Sequence, residues 1–437
     1  MAQPLQDRFL ALSGEVDKHK ITPVAGQRSR MLVQRGEVLR QLDLPLLAYY
    51  DLVDSQRYRS TPDQSTNFLI QVAQCQLALH RKALSCTTLG GAMRTASPMD
   101  RVKIVKLLQT ANAAPEGTRG PTSFTFHDER FPWDHNASSD SLSGPEGMAR
   151  ARDHARVASQ GKLSLKVFPA SGRGLVATRA IKKGEILMDD KSSTLSVTWP
   201  FVEPSVCHHC NTPLEGLRST VTCESCPCCF CSKNCQEIAA SSYHSLLCGI
   251  SFHPFLTATM DQQEGPSMLW VLSALKVFAE AKSKGIAPLD VPSLSFLGVS
   301  PRSETEDGCE ESVIPLFQAI MLMLGLQDTP GFEFWHFLAI AQRSKSNGFG
   351  TVSGKLLKRS IFGAVSYANH DCQPNARATP SGQLVASRLI GKDQQVVISY
   401  LGEEELFRHI LLEKYGISCS CDRCGTAKVR FDAYMAE

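Results

Sequence analysis

Apolar residues recur at helical spacing through the first hundred positions. Met31 to Leu42 keeps one apolar face, and Leu46 to Val53 does so again after Pro45, which predicts two helices joined by a tight connection. Gly36 and Ala48 are the small positions of this pair, and Leu32, Leu39 and Leu52 lie on its packing faces. A second, more degenerate pair is predicted between Asn67 and Pro98, with Ala73, Ala83 and Ala92 small, followed by a helix around Val102 to Leu108. Residues 1–112 therefore read as all-helical. Across 113–160 the periodicity breaks at Pro115, Gly117, Gly120, Pro121, Gly144, Pro145 and Gly147, which predicts a linker in which Phe126, Phe131 and Trp133 dock locally. From Leu163 the period becomes two. Leu163, Leu165 and Val167 alternate, Leu175-Val176 and Ile186-Leu187 continue, and Lys182-Lys183-Gly184 reads as a turn. Helical spacing returns over 251–355, in Met268 to Ala281 and Ile314 to Leu324, and strands resume at Leu384-Val385 and Val396 to Ile398. This order predicts an α+β fold with insertions.

Composition excludes more than it identifies. The 437 residues are 43% apolar and 20% charged, ordinary globular usage for two to four domains. A net charge of +3 is too small to draw nucleic acid by bulk electrostatics. The longest apolar run, Val313 to Leu326, is interrupted by Pro315 and Gln318 and reads as a buried helix rather than a membrane span. No basic start followed by an apolar stretch predicts a secretory signal.

The 16 cysteines change the picture, because nine fall between Cys207 and Cys248. The run Cys207-x2-Cys210, Cys223-x2-Cys226, Cys231-x3-Cys235, His244-x3-Cys248 supplies eight ligands, enough for two closed tetrahedral zinc sites. A module this short has little apolar surface, so metal binding contributes much of its folding free energy. Cys228 and Cys229 are surplus, and either can stand in for Cys226. Cys372, Cys419, Cys421 and Cys424 form a second cluster with the ligands for a third ion.

With Phe230-Cys231-Ser232 and Cys235-Gln236 ahead of His244, the first run resembles a MYND zinc finger. That resemblance implies interleaved pairing, Cys207, Cys210, Cys231 and Cys235 on one zinc and Cys223, Cys226, His244 and Cys248 on the other, and a surface that docks proline-rich peptides. The flanking segments resemble a split SET domain. Arg173-Gly174-Leu175 with Ala177 to Glu185 is similar to its first motif, Asn369-His370-Asp371-Cys372-Gln373-Pro374-Asn375 to its central motif, and Ile398-Ser399-Tyr400 to its catalytic strand. Tyr415-Gly416 followed by Cys419-Ser420-Cys421-x2-Cys424 is similar to the post-SET zinc cluster. A MYND finger between SET halves resembles the SET-and-MYND family of protein-lysine methyltransferases, over roughly residues 161–425. The N-terminal helix pairs loosely resemble tetratricopeptide repeats. The expected layout is a helical region 1–112, a linker 113–160, SET halves at 161–200 and 356–418, the finger at 201–250, a helical insert at 251–355 and the post-SET cluster with its tail at 419–437.

The resemblance implies S-adenosylmethionine as cofactor, held by Arg173, Gly174, Asn347, Asn369 and His370, with Asn347 before Phe349 in an Asn-x-Phe element. It implies Tyr400 and Tyr415 as the catalytic residues, Tyr400 orienting the amine and Tyr415 lining a lysine channel. The chemistry agrees, since methyl transfer from a sulfonium asks the protein chiefly for alignment and electrostatics. Two positions depart from the pattern: Gln394-Gln395 replace an acidic pair, and Asp371 stands where Ser is common. Only Gly425 to Glu437 follow the last cysteine, so the expected cleft is open, as in shorter fungal members. The expected substrate is a lysine of a histone or another protein, in the nucleus, the cytoplasm or both, without membrane or direct nucleic-acid binding. The rival reading is a catalytically weak scaffold that recruits protein partners. Asn369, His370 and Tyr400 discriminate, because a degenerate scaffold is expected to lose at least one of them.

Overall fold

At Gly36 two helices meet as closely as backbones allow: a Cβ added there would stand 3.3 Å from the Ala48 carbonyl oxygen and 3.4 Å from Leu52 Cγ. This contact joins Gln27–Gln41 to Pro45–Ser55 in the computed structural model, which describes residues 2–21, 26–59, 65–79, 81–113, 131, 133, 145–169, 171–190, 194–199, 202–250, 265–298, 313–353, 356–400 and 419. The chain divides into two units, Met1–Trp133 with Glu306–Trp335, and Asp134–Thr305 with His336–Glu437.

The first unit is helical. Besides the pair at Gly36 it contains Ala2–Ile21, Thr66–Ala78, Lys82–Met93, Pro98–Ala113 and, from much later in the chain, Val313–Met323. The expected single insert at 251–355 is thus divided. Residues 313–335 belong to the helical unit because Leu316, Phe317 and Ile320 are buried there, with the Tyr50, Phe317 and Phe334 rings in mutual contact. Polar chemistry fixes the same assignment. Arg35 grips Asp51 through Nε and Nη2 at 2.7 and 2.8 Å, and Nη2 also reaches Glu333 at 2.9 Å. Lys20 Nζ donates to the other Glu333 oxygen at 2.6 Å. Burial alone would raise the Glu333 carboxyl, but Arg35 and Lys20 hold it well below the carboxylate range. In the second helix pair Ala73 and Ala92 are buried as expected, whereas Ala83 is exposed and Ser85 makes the close contact, donating to the Ala73 carbonyl at 2.9 Å.

Among the described residues the second unit carries twelve strands: β1 Leu163–Phe168, β2 Gly172–Ala177, β3 Ile186–Asp189, β4 Thr194–Trp199, β5 Val221–Thr222, β6 Cys229–Phe230, β7 Gly348–Ser353, β8 Leu356–Phe362, β9 Asn369–His370, β10 Ala376–Ala378, β11 Gln383–Ala386 and β12 Gln395–Ile398. They form small sheets ordered β1-β2-β12-β9, β10-β11-β3, β4-β8-β7 and β5-β6. Two expectations need correction. The linker at 113–160 contains the helix Pro145–Ala158, which turns Met148, Ala151 and Ala155 inward and sends Arg152 Nε to the Leu165 carbonyl of β1. Pro145 begins that helix, where its missing N–H costs nothing. The insert also contains a strand, β7, since Gly348 to Ser353 pairs along β8. Strand β4 shows no alternation because Thr194 to Thr198 are all buried, so both its faces are covered.

Helix Gly265–Lys284 runs against β4, and every described residue from Leu269 to Ala279 is buried. Its Lys276 is fully enclosed. The ammonium donates to the Ser196 carbonyl at 2.7 Å and the His208 carbonyl at 2.8 Å, and burial pushes its pKa down to about 7. That one side chain ties the cysteine-rich module to β4. Among the described residues no helix is long and apolar enough to cross a membrane.

Candidate active site

Three distant segments meet in the first sheet. β2 brings Arg173 and Gly174, and β12 lies between it and β9, which pairs with β12 in parallel and carries Asn369 and His370. At Gly174 it is space, not backbone angle, that favours glycine, because any side chain would displace its neighbours. A Cβ there would come within 2.5 Å of Asn369 Nδ2, 2.8 Å of Gln395 Nε2 and 2.9 Å of Phe168 Cε2. Asn369 Nδ2 donates to Ser171 Oγ at 3.1 Å. Arg173 donates Nη2 to the Phe296 carbonyl at 2.8 Å and lies over the Tyr367 ring, its guanidinium carbon 5.4 Å from the centroid. Burial lowers the Arg173 pKa, and no described carboxylate pairs with it. Arg173 Nη1 and Gln395 Nε2 are both buried donors without a partner among the described residues. The strand register puts these two donors on opposite faces of the sheet, and the Arg173 donor, with no described acceptor, fits a ligand that brings an acceptor oxygen.

Tyr367 is held from behind. Its hydroxyl lies 3.4 Å from His154 Nδ1, and His154 Nε2 lies 3.9 Å from the buried Asp190 carboxylate, which in turn accepts the Ala364 amide. Neither His154 nor Tyr367 was among the expected site residues. The helical spacing around His154 was the available signal, and the glycines and prolines before it masked that signal.

Tyr400 closes the other side. Its hydroxyl donates to the Ala368 carbonyl at 2.9 Å, and its amide donates to His370 Nδ1 at 3.0 Å. His370 Nε2 sits 3.2 Å from Cys372 Sγ, and burial lowers the His370 pKa, which keeps the ring neutral with its proton on Nε2. The His370 ring is therefore engaged by Tyr400 and Cys372, and only its backbone is left for a ligand. Tyr400 and Asn347 line one cavity of about 370 Å³, with Phe349, Lys358, Arg359, Phe362 and Ser399. Asn347 Nδ2 bonds the Gly298 carbonyl at 2.8 Å and the Arg343 carbonyl at 3.0 Å. Tyr415 lies outside the described residues.

Asn211, unforeseen in the sequence, reaches the same cavity from the cysteine-rich module. It is 2% exposed and adopts φ 58°, and its amide donates to the Val197 and Arg359 carbonyls and to Ser360 Oγ at 3.1–3.2 Å. Its Oδ1 is buried without a partner among the described residues.

The cysteines assemble into separate groups. Cys207, Cys210, Cys231 and Cys235 form one and Cys223, Cys226, His244 and Cys248 another, with all ligand atoms in each within 4.8 Å of one another. In the first group the Cys210–Cys231, Cys231–Cys235 and Cys235–Cys210 sulfur distances are 3.7, 3.5 and 3.9 Å. Sulfurs bound about 2.3 Å from one zinc stand about 3.8 Å apart on a tetrahedron, so the donor set fits a closed structural ion. In the second group Cys223 and Cys248 are 3.6 Å apart, and His244 Nε2 lies 3.4 and 3.6 Å from Cys223 and Cys226. Cys226 thus occupies the position for which Cys228 and Cys229 were alternatives. Cys228 is buried near His208 and His244, and Cys229 turns to the Pro227 carbonyl. Cys372 and Cys419 approach to 3.9 Å, with His370 beside them, while Cys421 and Cys424 lie outside the described residues.

The family model for the SET domain matches residues 172–401, just over half the chain. The histone-lysine N-methyltransferase ASHR2 of Arabidopsis thaliana is 26% identical over 301 residues, covering 61% of this chain and 72% of its own. SET domain and MYND-type zinc finger protein 6 of Schizosaccharomyces pombe is 26% identical over 268 residues, 59% of this chain and 51% of its own. N-lysine methyltransferase SMYD2-A of Xenopus laevis is 25% identical over 274 residues, 59% of each chain. The chain thus spans only between half and three quarters of these curated relatives.

Proposed function

Because the chain belongs to the SET-domain family, we propose that it is an S-adenosylmethionine-dependent protein-lysine N-methyltransferase of the SET-and-MYND kind, acting on a histone or another protein. The observation that carries this reading is the juxtaposition of Tyr400 and Asn347 in one cavity with the Arg173–Gly174–Asn369 cradle beside it in the sheet. Arg173 Nη1 would take the cofactor's carboxylate, and Asn347, Asn369 and the His370 backbone its remaining polar groups. Bound S-adenosylmethionine supplies a methyl group already activated on a sulfonium.

The protein's own part is alignment. Tyr400 spends its only proton on the Ala368 carbonyl, so its oxygen offers an entering amine lone pairs and nothing else. The amine is then turned with an N–H toward Tyr400 and its own lone pair elsewhere. His370 fixes the Tyr400 backbone, and Cys372 holds His370. Phe349 and Phe362, with ring centroids 5.3 Å apart, form an apolar wall for the lysine stem. Desolvation along that wall lowers the amine's pKa from about 10.4 toward the neutral, nucleophilic form. Tyr415 would complete the channel.

The cysteine-rich module would be a MYND-type finger with two structural zincs and a surface for proline-rich peptides. Cys372, Cys419, Cys421 and Cys424 would hold the third. The test is calorimetric titration of S-adenosylmethionine into zinc-replete protein, with methyl transfer to histones followed by mass spectrometry. The wild type is expected to bind the cofactor, Asn369→Ala to lose most of that binding, and Tyr400→Phe to bind but transfer at least a hundredfold more slowly. Folded, zinc-loaded protein that binds no cofactor would refute the reading in favour of a scaffold.

A further inference from the structure

The cavity around Tyr400 is cationic. Among the described residues that line it, Lys358 and Arg359 are charged and none is Asp or Glu. Lys358 shares the β8 face of Phe362 and, across the ladder, Phe349, whereas the Arg359 stem packs on the opposite face against Gly348. The chain as a whole is nearly balanced at +3, so this excess is local. It arises from β8, where Lys358 lies between Thr198 of β4 and Thr351 of β7, neutral neighbours on both sides. No described carboxylate lies within ion-pair distance of Lys358. Arg359 is steadied by its Nη1 bond to the Ser344 carbonyl at 3.2 Å. Arg173, Gly174 and Asn369 do not line this cavity, so Lys358 is separate from the cradle assigned to the cofactor.

A substrate lysine is itself cationic as it approaches. Entering a half-buried wall of like charge is unfavourable unless the same segment brings an opposite charge, and complementary charge across such a surface sets both encounter and partner choice. Resting on the methyltransferase reading of this site, we propose that the substrate is an acidic segment: a lysine with Asp or Glu within a few residues, whose carboxylate pairs with Lys358 while the lysine runs along Phe349 and Phe362 to Tyr400. Lys358 is then a specificity-determining residue. A basic tail without acidic neighbours is a poor substrate.

The test compares matched peptides in which one lysine is flanked by Glu, Gln or Lys. Each is assayed for methyl transfer with the full chain as wild type, Lys358→Met and Lys358→Glu, and cofactor binding is measured by calorimetry in all three proteins. The wild type is expected to favour the Glu-flanked peptide by about tenfold in kcat/KM, chiefly through KM. Lys358→Met should lose that preference and Lys358→Glu should invert it toward the Lys-flanked peptide, with cofactor affinity unchanged. Equal rates on Glu- and Gln-flanked peptides in the wild type, or a preference that survives Lys358→Met, overturns the proposal and leaves the methyltransferase reading standing. Cofactor binding without transfer to any peptide also overturns it. Absence of cofactor binding overturns the methyltransferase reading, and this inference with it.

Discussion

Substitution of Gly174 by Ala perturbs the cofactor cradle without removing any group that touches a ligand. The added methyl would meet Asn369 Nδ2 at 2.5 Å, Gln395 Nε2 at 2.8 Å and Phe168 Cε2 at 2.9 Å, all inside the distance real Cβ atoms tolerate. Ordinary contact begins near 3.4 Å, so the Asn369 amide must withdraw by about 1 Å and give up its 3.1 Å bond to Ser171. Overpacking of this kind costs about 1–3 kcal/mol. Part of that falls on the fold. The displacement of Asn369 and Gln395 falls on the ligand, and about 1.4–2.8 kcal/mol of binding energy corresponds to a 10- to 100-fold loss of affinity. Calorimetry of S-adenosylmethionine with wild type and Gly174→Ala measures it, alongside thermal unfolding. The expected result is affinity reduced 10- to 100-fold with Tm lowered by only a few degrees. Gly172→Asn is the control, since Gly172 sits at φ +68° with nothing within 4 Å of an added Cβ, a conformation Asn accepts. Wild-type affinity in Gly174→Ala would refute the claim that Asn369 and Gln395 bound the cofactor cradle, and equal losses at Gly172 and Gly174 would refute the steric argument.

Other outcomes follow from the same geometry. Glu333→Gln removes the buried charge that Lys20 and Arg35 share, leaving Lys20 only Asp17 at 2.9 Å, and is expected to destabilise the helical unit by about 3 kcal/mol, read as a fall in Tm of roughly 6–12 °C. The folded Glu333 pKa is depressed below its ordinary 4.5, so this contribution is full above that value and disappears only as pH falls through the folded pKa. Melting curves from pH 7 down to pH 3 should show the wild-type advantage persisting below pH 4.5, and an advantage already gone at pH 5 would contradict the network. Cys231→Ala removes one ligand of the first thiol group. Metal analysis should find one zinc fewer per chain than in wild type, and an unchanged count would mean that this group holds no ion. Asn211→Leu keeps the volume but loses three bonds and the buried acceptor. It is expected to raise the peptide KM with cofactor affinity intact, and an unchanged KM would exclude Asn211 from the substrate side.

Much of the molecule was legible in the chain because local chemistry is written locally. Helical spacing from Met31 to Val53 and the period-two pattern from Leu163 depend on nearest neighbours, and the structure places helices and strands there. Cysteine spacing limited which thiols can share an ion, and the two ligand groups that form are those the interleaved pattern implied. Tyr400, Asn347 and Asn369 were singled out through motifs, and the structure sets Tyr400 and Asn347 on one cavity and Asn369 against Gly174. What stayed hidden depends on partners far away in sequence. Nothing around Glu333 announces that it completes an ion network with Lys20 and Arg35, about three hundred residues earlier, or that Val313 to Met323 joins the N-terminal helices. The burial of β4 on both faces erased its alternation. The engagement of the His370 ring by Tyr400 and Cys372, the reach of Asn211 into the cavity and the place of Lys358 beside the Phe362 face, with no described carboxylate in ion-pair distance, are likewise facts of packing. Residue type and spacing therefore determined which chemistry this chain can perform. Only the tertiary structure decided which side chains face one another, because burial and pairing are properties of segments brought together and not of either segment alone.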